Sequence, residues 1–209
     1  MNVRPFGFAL LGFGLLATCP SPADASVSIA VLFEDLLEQS SAAGVLVPAE
    51  EHAVWEGGRI VTYTRLRMER AVAGDVGTGQ DVWVRSLGGV VGDIGQRVDG
   101  EATFTMGRPS LLFLQAAAAG TWVVSARAQG QFPIVLGPDK APRLMKSAQV
   151  GVLLAPGKDR MAKWEKPGLR PLSAGAFARA PLASDVLAGK TIDEIVSTVS
   201  ETWKTVHAK

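Results

Sequence analysis

The sequence predicts a mainly β protein: a small antiparallel barrel or sandwich with a short N-terminal helix and a C-terminal amphipathic helix. Three observations support this fold class. Residues 59–72 alternate apolar and polar side chains, several shorter strand-like segments follow without intervening helices, and residues 190–209 have helical periodicity. Short strands at close spacing favour an antiparallel sheet over alternating strands and helices.

The N-terminal residues have the pattern of a secretory signal peptide. Residues 1–25 contain the basic Arg4, an apolar run over 6–17, and Ala23 and Ala25 at the positions that a signal peptidase recognises. The apolar run is shorter than the roughly 20 residues that span a bilayer, so no transmembrane segment is expected after cleavage. The sequence therefore predicts a secreted or periplasmic protein.

Cys19 offers an alternative destination. The stretch "LATC" is similar to the lipobox of bacterial lipoproteins, in which the cysteine is acylated. Thr18 stands where a lipobox usually has Gly, Ala or Ser, and Pro20 follows the cysteine, so anchoring through Cys19 remains the second reading. Cys19 is the only cysteine, and cleavage after Ala25 leaves a chain that forms no disulfide.

Residues 26–41 predict a short N-terminal helix, and residues 42–150 predict the β-barrel core. The helix is inferred from apolar residues on one helical face: Ile29, Leu32, Phe33, Leu36 and Leu37. The clearest strand is "RIVTYTRLRMERAV", with an apolar face and a polar face. The expected inward residues are Ile60, Thr62, Thr64, Leu66, Met68 and Val72. Its length suits a barrel, in which one bent strand serves two sides.

Shorter strands are predicted after it, separated mostly by Gly, Pro or Asp clusters. Their sequences are "DVWVRSL", "EATFTM", "PSLLFLQ", "TWVVSARA", "QFPIVL" and "PRLMKS".

The predicted core is followed by an arm and a helix. Residues 151–189 are rich in Pro, Gly and Ala, carry a local excess of Lys and Arg, and predict a linker or an arm lying on the barrel. Residues 190–209 predict a helix, in which Thr191 and Glu194 form a capping box. Its apolar stripe is expected to pack on the barrel.

Catalytic and metal-binding patterns are weak in this chain. It contains no G-x-S-x-G, H-E-x-x-H or S-x-x-K motif, so no catalytic residue, cofactor or metal is expected. His52 lies in the acidic "AEEHA", where a solvated loop is favoured over a metal site. Asp93, Asp99 and Glu101 could bind calcium or act as acid and base, but acids beside glycines usually stabilise turns. The net charge of +1 does not favour nucleic acid or an anionic membrane as partner.

The stretch "LGGVVGDIGQRVDGE" predicts a structural loop built on Gly88, Gly89, Gly92 and Gly95. Its G-G-x-x-G-x-x-G spacing differs from the dinucleotide-binding fingerprint, and a strand rather than a helix is expected after it. Glycines at this density imply positive φ or close contact with other chain segments. Val90, Val91 and Ile94 supply apolar side chains that an exposed loop tip would not need. We expect a tight, packed loop across one end of the barrel, with the two valines turned inward.

Two predicted strands place aromatic rings and guanidinium groups on one face. The residues of this candidate binding face are Tyr63, Arg65, Arg67, Trp83 and Arg85. Such a surface could bind a saccharide or a nucleic acid strand. The alternative, which we favour, is a solvated face with ordinary cross-strand packing.

The stretches "GGRIVTYTRLRMERAVAGD", "VWVRSLGGVVGDIGQRVDGEATFTMGRPSLLFL" and "TWVVSARAQGQFPIV" resemble a family of uncharacterised exported bacterial β-rich proteins. The distinctive shared feature is the GGxxGxxG loop. The resemblance covers residues 59–135 and implies no catalytic residue. The strand order also resembles OB-type barrels such as netrin-like domains, although the disulfides of those domains are missing.

The sequence as a whole predicts an exported, non-enzymatic binding or interaction domain, with a protein partner in the envelope or outside the cell. The alternatives are a saccharide- or nucleic-acid-binding barrel face and, least favoured, a carboxylate-dependent hydrolase.

Overall fold

The computed structural model describes residues 27–155 and 181–208. The predicted signal peptide over 1–25, with Cys19, and the middle of the predicted arm, residues 156–180, lie outside the described residues.

The described chain is mainly β. Its strands are β1 (Val27–Ile29), β2 (Ala42–Glu56), β3 (Arg59–Gly74), β4 (Asp81–Leu87), β5 (Gly89–Val91), β6 (Ile94–Gln96), β7 (Ser110–Ala116), β8 (Trp122–Val124), β9 (Gln131–Leu136), β10 (Pro142–Leu144) and β11 (Val152–Leu154). Its α-helices are α1 (Phe33–Glu38), α2 (Ala183–Leu187) and α3 (Ile192–His207).

Five strands close into a barrel, which confirms the predicted fold class. They are joined in the order β7-β2-β3-β4-β8, and β8 pairs back with β7. All neighbours are antiparallel except β4 and β8, which meet in parallel at a single residue pair. From β7 the sheet continues outward through β9 to β10, while β1 and β11 form a separate parallel pair.

The β2–β3 hairpin is the longest element of the barrel. Its two-residue loop, Gly57 and Gly58, has φ angles of 57° and 77°, which glycine adopts without strain. The predicted alternation of β3 holds at Ile60, Leu66 and Met68, which are fully buried. The prediction that Val72 faces inward was wrong, because a register shift at Ala43/Gly44 turns it toward the apolar residues beside the helices. Register shifts in the first half of β2 bend the strand around the barrel.

Two apolar clusters hold the fold together. The inner cluster fills the barrel and includes Leu46, Leu66, Met68, Val84 and Leu112. The outer cluster lies between the barrel wall and the helices, and includes Phe33, Leu37, Phe113, Ile195 and Val199. Strand β7 serves both clusters, which explains the unbroken apolar run in "SLLFL".

The helices α1 and α3 pack against the outer cluster. The predicted capping box of α3 is present: Thr191 N–H donates to Glu194 Oε2 at 2.6 Å, and Glu194 N–H donates to Thr191 Oγ1 at 3.4 Å. Helix α1 begins at Phe33, so the prediction that Ile29 belongs to this helix was wrong. The side chain of Gln129 accepts from Val31 N–H and donates to the Ile29 carbonyl, both at 2.9 Å, which holds this backbone extended.

The segment "EATFTM" is not a strand, contrary to the prediction. The amide side chain of Gln131 accepts from Thr103 N–H at 3.3 Å and donates to the Thr103 carbonyl at 2.6 Å. A side chain thus satisfies the backbone groups that a neighbouring strand would otherwise bond. The segment crosses the side of the barrel as a strap, here defined as residues 101–106.

Both ends of the predicted arm have regular structure. Val152–Leu154 form β11, which pairs with β1, and Ala183–Leu187 form α2. These elements are too short to show periodicity in the sequence.

Candidate functional site

The structure brings the predicted binding-face residues together on β3 and β4. Tyr63 lies opposite Arg85, and Arg65 lies opposite Trp83. Arg67 lies opposite Asp81 at the edge of this group and is exposed.

Carboxylates already bind two of the three guanidinium groups. Arg65 contacts Glu50 at 2.9 Å and Asp81 at 2.7 Å. Arg85 contacts Glu56 at 2.9 Å, and the Tyr63 hydroxyl donates to the same carboxylate at 2.8 Å. The hydrogen bond from Arg85, followed by that from Tyr63, lowers the pKa of Glu56 below its usual range. These cations are therefore engaged within the protein.

His52 completes the aromatic surface. The prediction that it lies in a solvated loop was wrong, because it belongs to β2 and lies opposite Tyr63. Its ring stacks on Tyr63 with 5.5 Å between ring centroids, and meets Trp83 edge-on at 5.3 Å. Such contacts stabilise a sheet, and they support cross-strand packing as the role of this face.

The glycine-rich stretch forms a β5–β6 hairpin rather than a packed loop. Its two-residue loop begins with Gly92 at φ 60°, the first central position, where a type II′ turn requires glycine. Val90 is 67% exposed, so the prediction that its side chain turns inward was wrong, and the neighbouring Ile94 is 55% exposed as well. Gly95 is an ordinary strand residue of β6.

Close backbone contact occurs instead at the base of this hairpin. Gly89 has a φ of 131°, and a Cβ placed there would overlap Thr62 Oγ1. A Cβ on Gly88 would lie 2.7 Å from the Gln96 carbonyl oxygen. Only glycine lets β5 lie against β2 and β3 here.

An open cavity of about 400 Å³ lies beside this hairpin. Strand β7 pairs with β2 only as far as Leu46, so the barrel wall is incomplete beyond that residue. The cavity is bounded by Glu51, His52 and Ala53 of β2 on one side, and by Thr103 and Phe104 of the strap on another.

Hydroxyl groups lie at the floor of the cavity. Thr62 Oγ1 donates to the Gly88 carbonyl at 2.7 Å, and Ser86 Oγ donates to the Thr62 carbonyl at 3.4 Å. Thr64 also lines the cavity and is fully buried, and within residues 27–155 and 181–208 its Oγ1 has no hydrogen-bond partner. An unpartnered buried hydroxyl costs free energy, and such a group calls for an explanation. The alternation of β3 predicts that Thr64 faces the inside of the barrel, whereas the hydrogen bonding of its hydroxyl depends on side chains from other strands.

The acidic residues considered for catalysis or calcium lie in different environments. Asp93 is exposed in the hairpin loop, and Asp99 contacts Arg97 at 3.3 Å. Glu101 is buried in the strap, and desolvation raises the pKa of its carboxyl despite the Arg127 guanidinium at 3.8 Å. Across residues 27–155 and 181–208, no three His, Asp or Glu side chains are grouped closely enough to hold a metal ion.

Comparison with protein-family models, curated proteins and solved structures gave no match. The resemblance to an exported bacterial family therefore stays a prediction, and function is argued from the geometry of the chain. In the same described ranges, no helix has the length and apolarity needed to cross a bilayer.

Proposed function

We propose that this protein is an exported, non-enzymatic binding domain that recognises a protein partner outside the cytoplasm through the cavity side of its barrel. The observation that carries the proposal is the buried, unpartnered Thr64 hydroxyl at the floor of an open cavity. Thr64 is fully buried, so a bound group reaches its hydroxyl only when the side chains at the cavity floor shift; a hydrogen bond formed in this way would remove the desolvation cost of the hydroxyl. The signal-peptide pattern of residues 1–25 supports export.

The chemistry of the lining disfavours an anionic group and suits a hydrogen-bond donor. The cavity is lined by Glu51, by His52 and by hydroxyl and apolar side chains, without any lysine or arginine. An anionic group would find no cation there, and would meet the Glu51 carboxylate instead. A serine, threonine or amide side chain of the partner fits these surroundings.

The outer face of β3 and β4 has less support as the binding site. Phosphate or sugar recognition needs free donors, and the guanidinium groups of Arg65 and Arg85 already donate to carboxylates. A saccharide- or nucleic-acid-binding face thus remains the alternative reading.

A pair of photo-crosslinking variants tests the proposal. A crosslinking amino acid replaces Val90 at the cavity in one variant and the exposed Lys204 of α3 in the other. Both are incubated with envelope extract of the producing organism. We expect a discrete adduct at position 90 and none at position 204. We also expect that adding Thr103→Trp, which fills the cavity, suppresses the adduct. Equal adducts at both positions, or an adduct insensitive to Thr103→Trp, would contradict the proposal.

A further inference from the structure

One edge of β2 has no partner strand in its second half. Strand β7 covers Ala42–Leu46, and Gly107 N–H donates to the Pro48 carbonyl at 3.0 Å. From Ala49 to Glu56, no backbone hydrogen bond to that edge exists within residues 27–155 and 181–208.

The register identifies which backbone groups point outward. The two-residue loop makes Glu56 and Arg59 a hydrogen-bonded pair, and such pairs alternate along an antiparallel ladder. Because Glu56 bonds to β3, the N–H and C=O groups of Glu51, Ala53 and Trp55 point away from it. The hydrogen bonding of β3 is consistent with this register, because the carbonyl of Ile60, which lies opposite Trp55, accepts from Gly88 N–H at 2.9 Å and is not bonded to β2.

This edge has only some of the features that usually prevent strand addition: Glu51 is an inward-facing charge, and Pro48 with a register shift lies just before the open stretch. Edge strands are commonly protected by lysine, proline, bulges or a covering segment. The sequence "AEEHAVWE" over 49–56 contains neither lysine nor proline, and the register is regular from Glu50 to Glu56. Val54 and Trp55 are 37% and 52% exposed. The edge therefore offers three donors and three acceptors in a row.

We infer that an extended segment of the partner protein adds to β2 as a further strand along Glu51–Trp55 and places one hydrogen-bond-donating side chain in the cavity. This inference rests on the proposed function. The cavity borders the same residues, Glu51 to Ala53, whose outward backbone groups are unpaired. Since side chains of a strand alternate between its faces, a strand bonded there directs every second side chain toward the cavity side of the barrel.

The size of the edge favours a peptide segment over a second copy of the chain. Five residues span roughly 17 Å of strand. A stable dimer buries at least about 1,200 Å², whereas this stretch exposes only Val54 and Trp55 as large apolar side chains. A single extended chain needs less area, because its backbone hydrogen bonds supply much of the affinity.

The test separates backbone pairing from side-chain contact. A displayed library of seven-residue peptides is selected on the mature chain, and the selected sequence is synthesised with and without N-methyl groups on alternate residues. Ala53→Pro removes an outward N–H that β3 does not use, and Ala53→Ser is the matched control that keeps it. We expect the peptide to bind wild type and Ala53→Ser within about twofold. Binding to Ala53→Pro, and binding of the N-methylated peptide, should each be at least about tenfold weaker, as expected for lost hydrogen bonds.

If circular dichroism shows that Ala53→Pro does not fold, binding of the N-methylated peptide alone tests the inference. The remaining outcomes all overturn it. Binding that tolerates N-methylation but is lost in Thr103→Trp would refute strand addition while keeping the proposed cavity site. Binding insensitive to both changes would refute the proposed function as well. A selection that yields no binders would also overturn the inference. So would a wild type that dimerises in sedimentation experiments while Ala53→Pro stays monomeric, because that result assigns the edge to a second copy of the chain.

Discussion

Replacing Thr64 by valine should stabilise the protein. The two side chains have nearly the same shape, Thr64 is fully buried, and its hydroxyl has no partner in the part of the chain that the structure describes. Burying an unpartnered hydroxyl costs about 1–3 kcal/mol in proteins. Valine removes that cost and is also favoured in strands. We therefore expect the free energy of unfolding to rise by about 1 kcal/mol, and the melting temperature by about 2–4 °C.

Thr62→Val is the matched control, because Thr62 lies two residues away on the same face of β3. Its hydroxyl donates to the Gly88 carbonyl at 2.7 Å, so valine there leaves that carbonyl without its donor. We expect a loss of about 1 kcal/mol. Urea denaturation followed by tryptophan fluorescence measures both variants. If Thr64→Val is no more stable than wild type, its hydroxyl is satisfied in solution and the argument for the site fails.

Three further predictions concern the glycine hairpin and the acidic groups. Gly89→Ala should lower the free energy of unfolding by about 3 kcal/mol or more, because the added Cβ overlaps Thr62. Gly92→Ala should lower it by about 1 kcal/mol, because only its positive φ is unfavourable. Thermal denaturation that gives the reverse order of stability would refute this prediction. Burial raises the pKa of Glu101, so the folded chain holds a proton that the unfolded chain has already released. The free energy of unfolding therefore falls as pH rises from the usual carboxyl range through the raised pKa, and Glu101→Gln should abolish this decline. The free energy of unfolding of both proteins is measured by urea denaturation at a series of pH values. The same decline with pH in wild type and in Glu101→Gln would contradict this prediction. Arg85→Ala should return the pKa of Glu56 upward toward its usual range, because the Arg85 hydrogen bond is the main cause of the lowered value. An unchanged titration of Glu56 by NMR would show that cause to be wrong.

The sequence predicted correctly those elements whose signals lie within a few neighbouring residues. The alternation along 59–72 identified β3, including the inward position of Thr64, and T-x-x-E identified the start of α3. The hairpin was missed although "VVGDI" carries a signal for it, since Gly-Asp between apolar residues fits a two-residue turn. The valines there were expected to turn inward, whereas the structure exposes Val90, and Ile94 beside it.

The candidate site depends on contacts between distant segments, which the sequence analysis could not predict. The cavity exists because β7 leaves β2 at Leu46 and because Gln131 bonds the strap in place of a strand. The pairing of Arg65 with Glu50 and Asp81 depends on the register of three strands. Periodicity shows which face a residue occupies, but not which residue of another strand lies beside it.

Amide hydrogen exchange along β2 tests the central claim most directly, because the unpaired edge and the cavity belong to the same opening in the barrel. In the free protein we predict slow exchange at Glu50, His52 and Val54, whose N–H groups bond to β3, and fast exchange at Glu51, Ala53 and Trp55. Saturation with a selected peptide should slow the second set and remove the alternation. Fast exchange that persists at Glu51, Ala53 and Trp55 in the saturated complex, or slow exchange there in the free protein, would contradict the account.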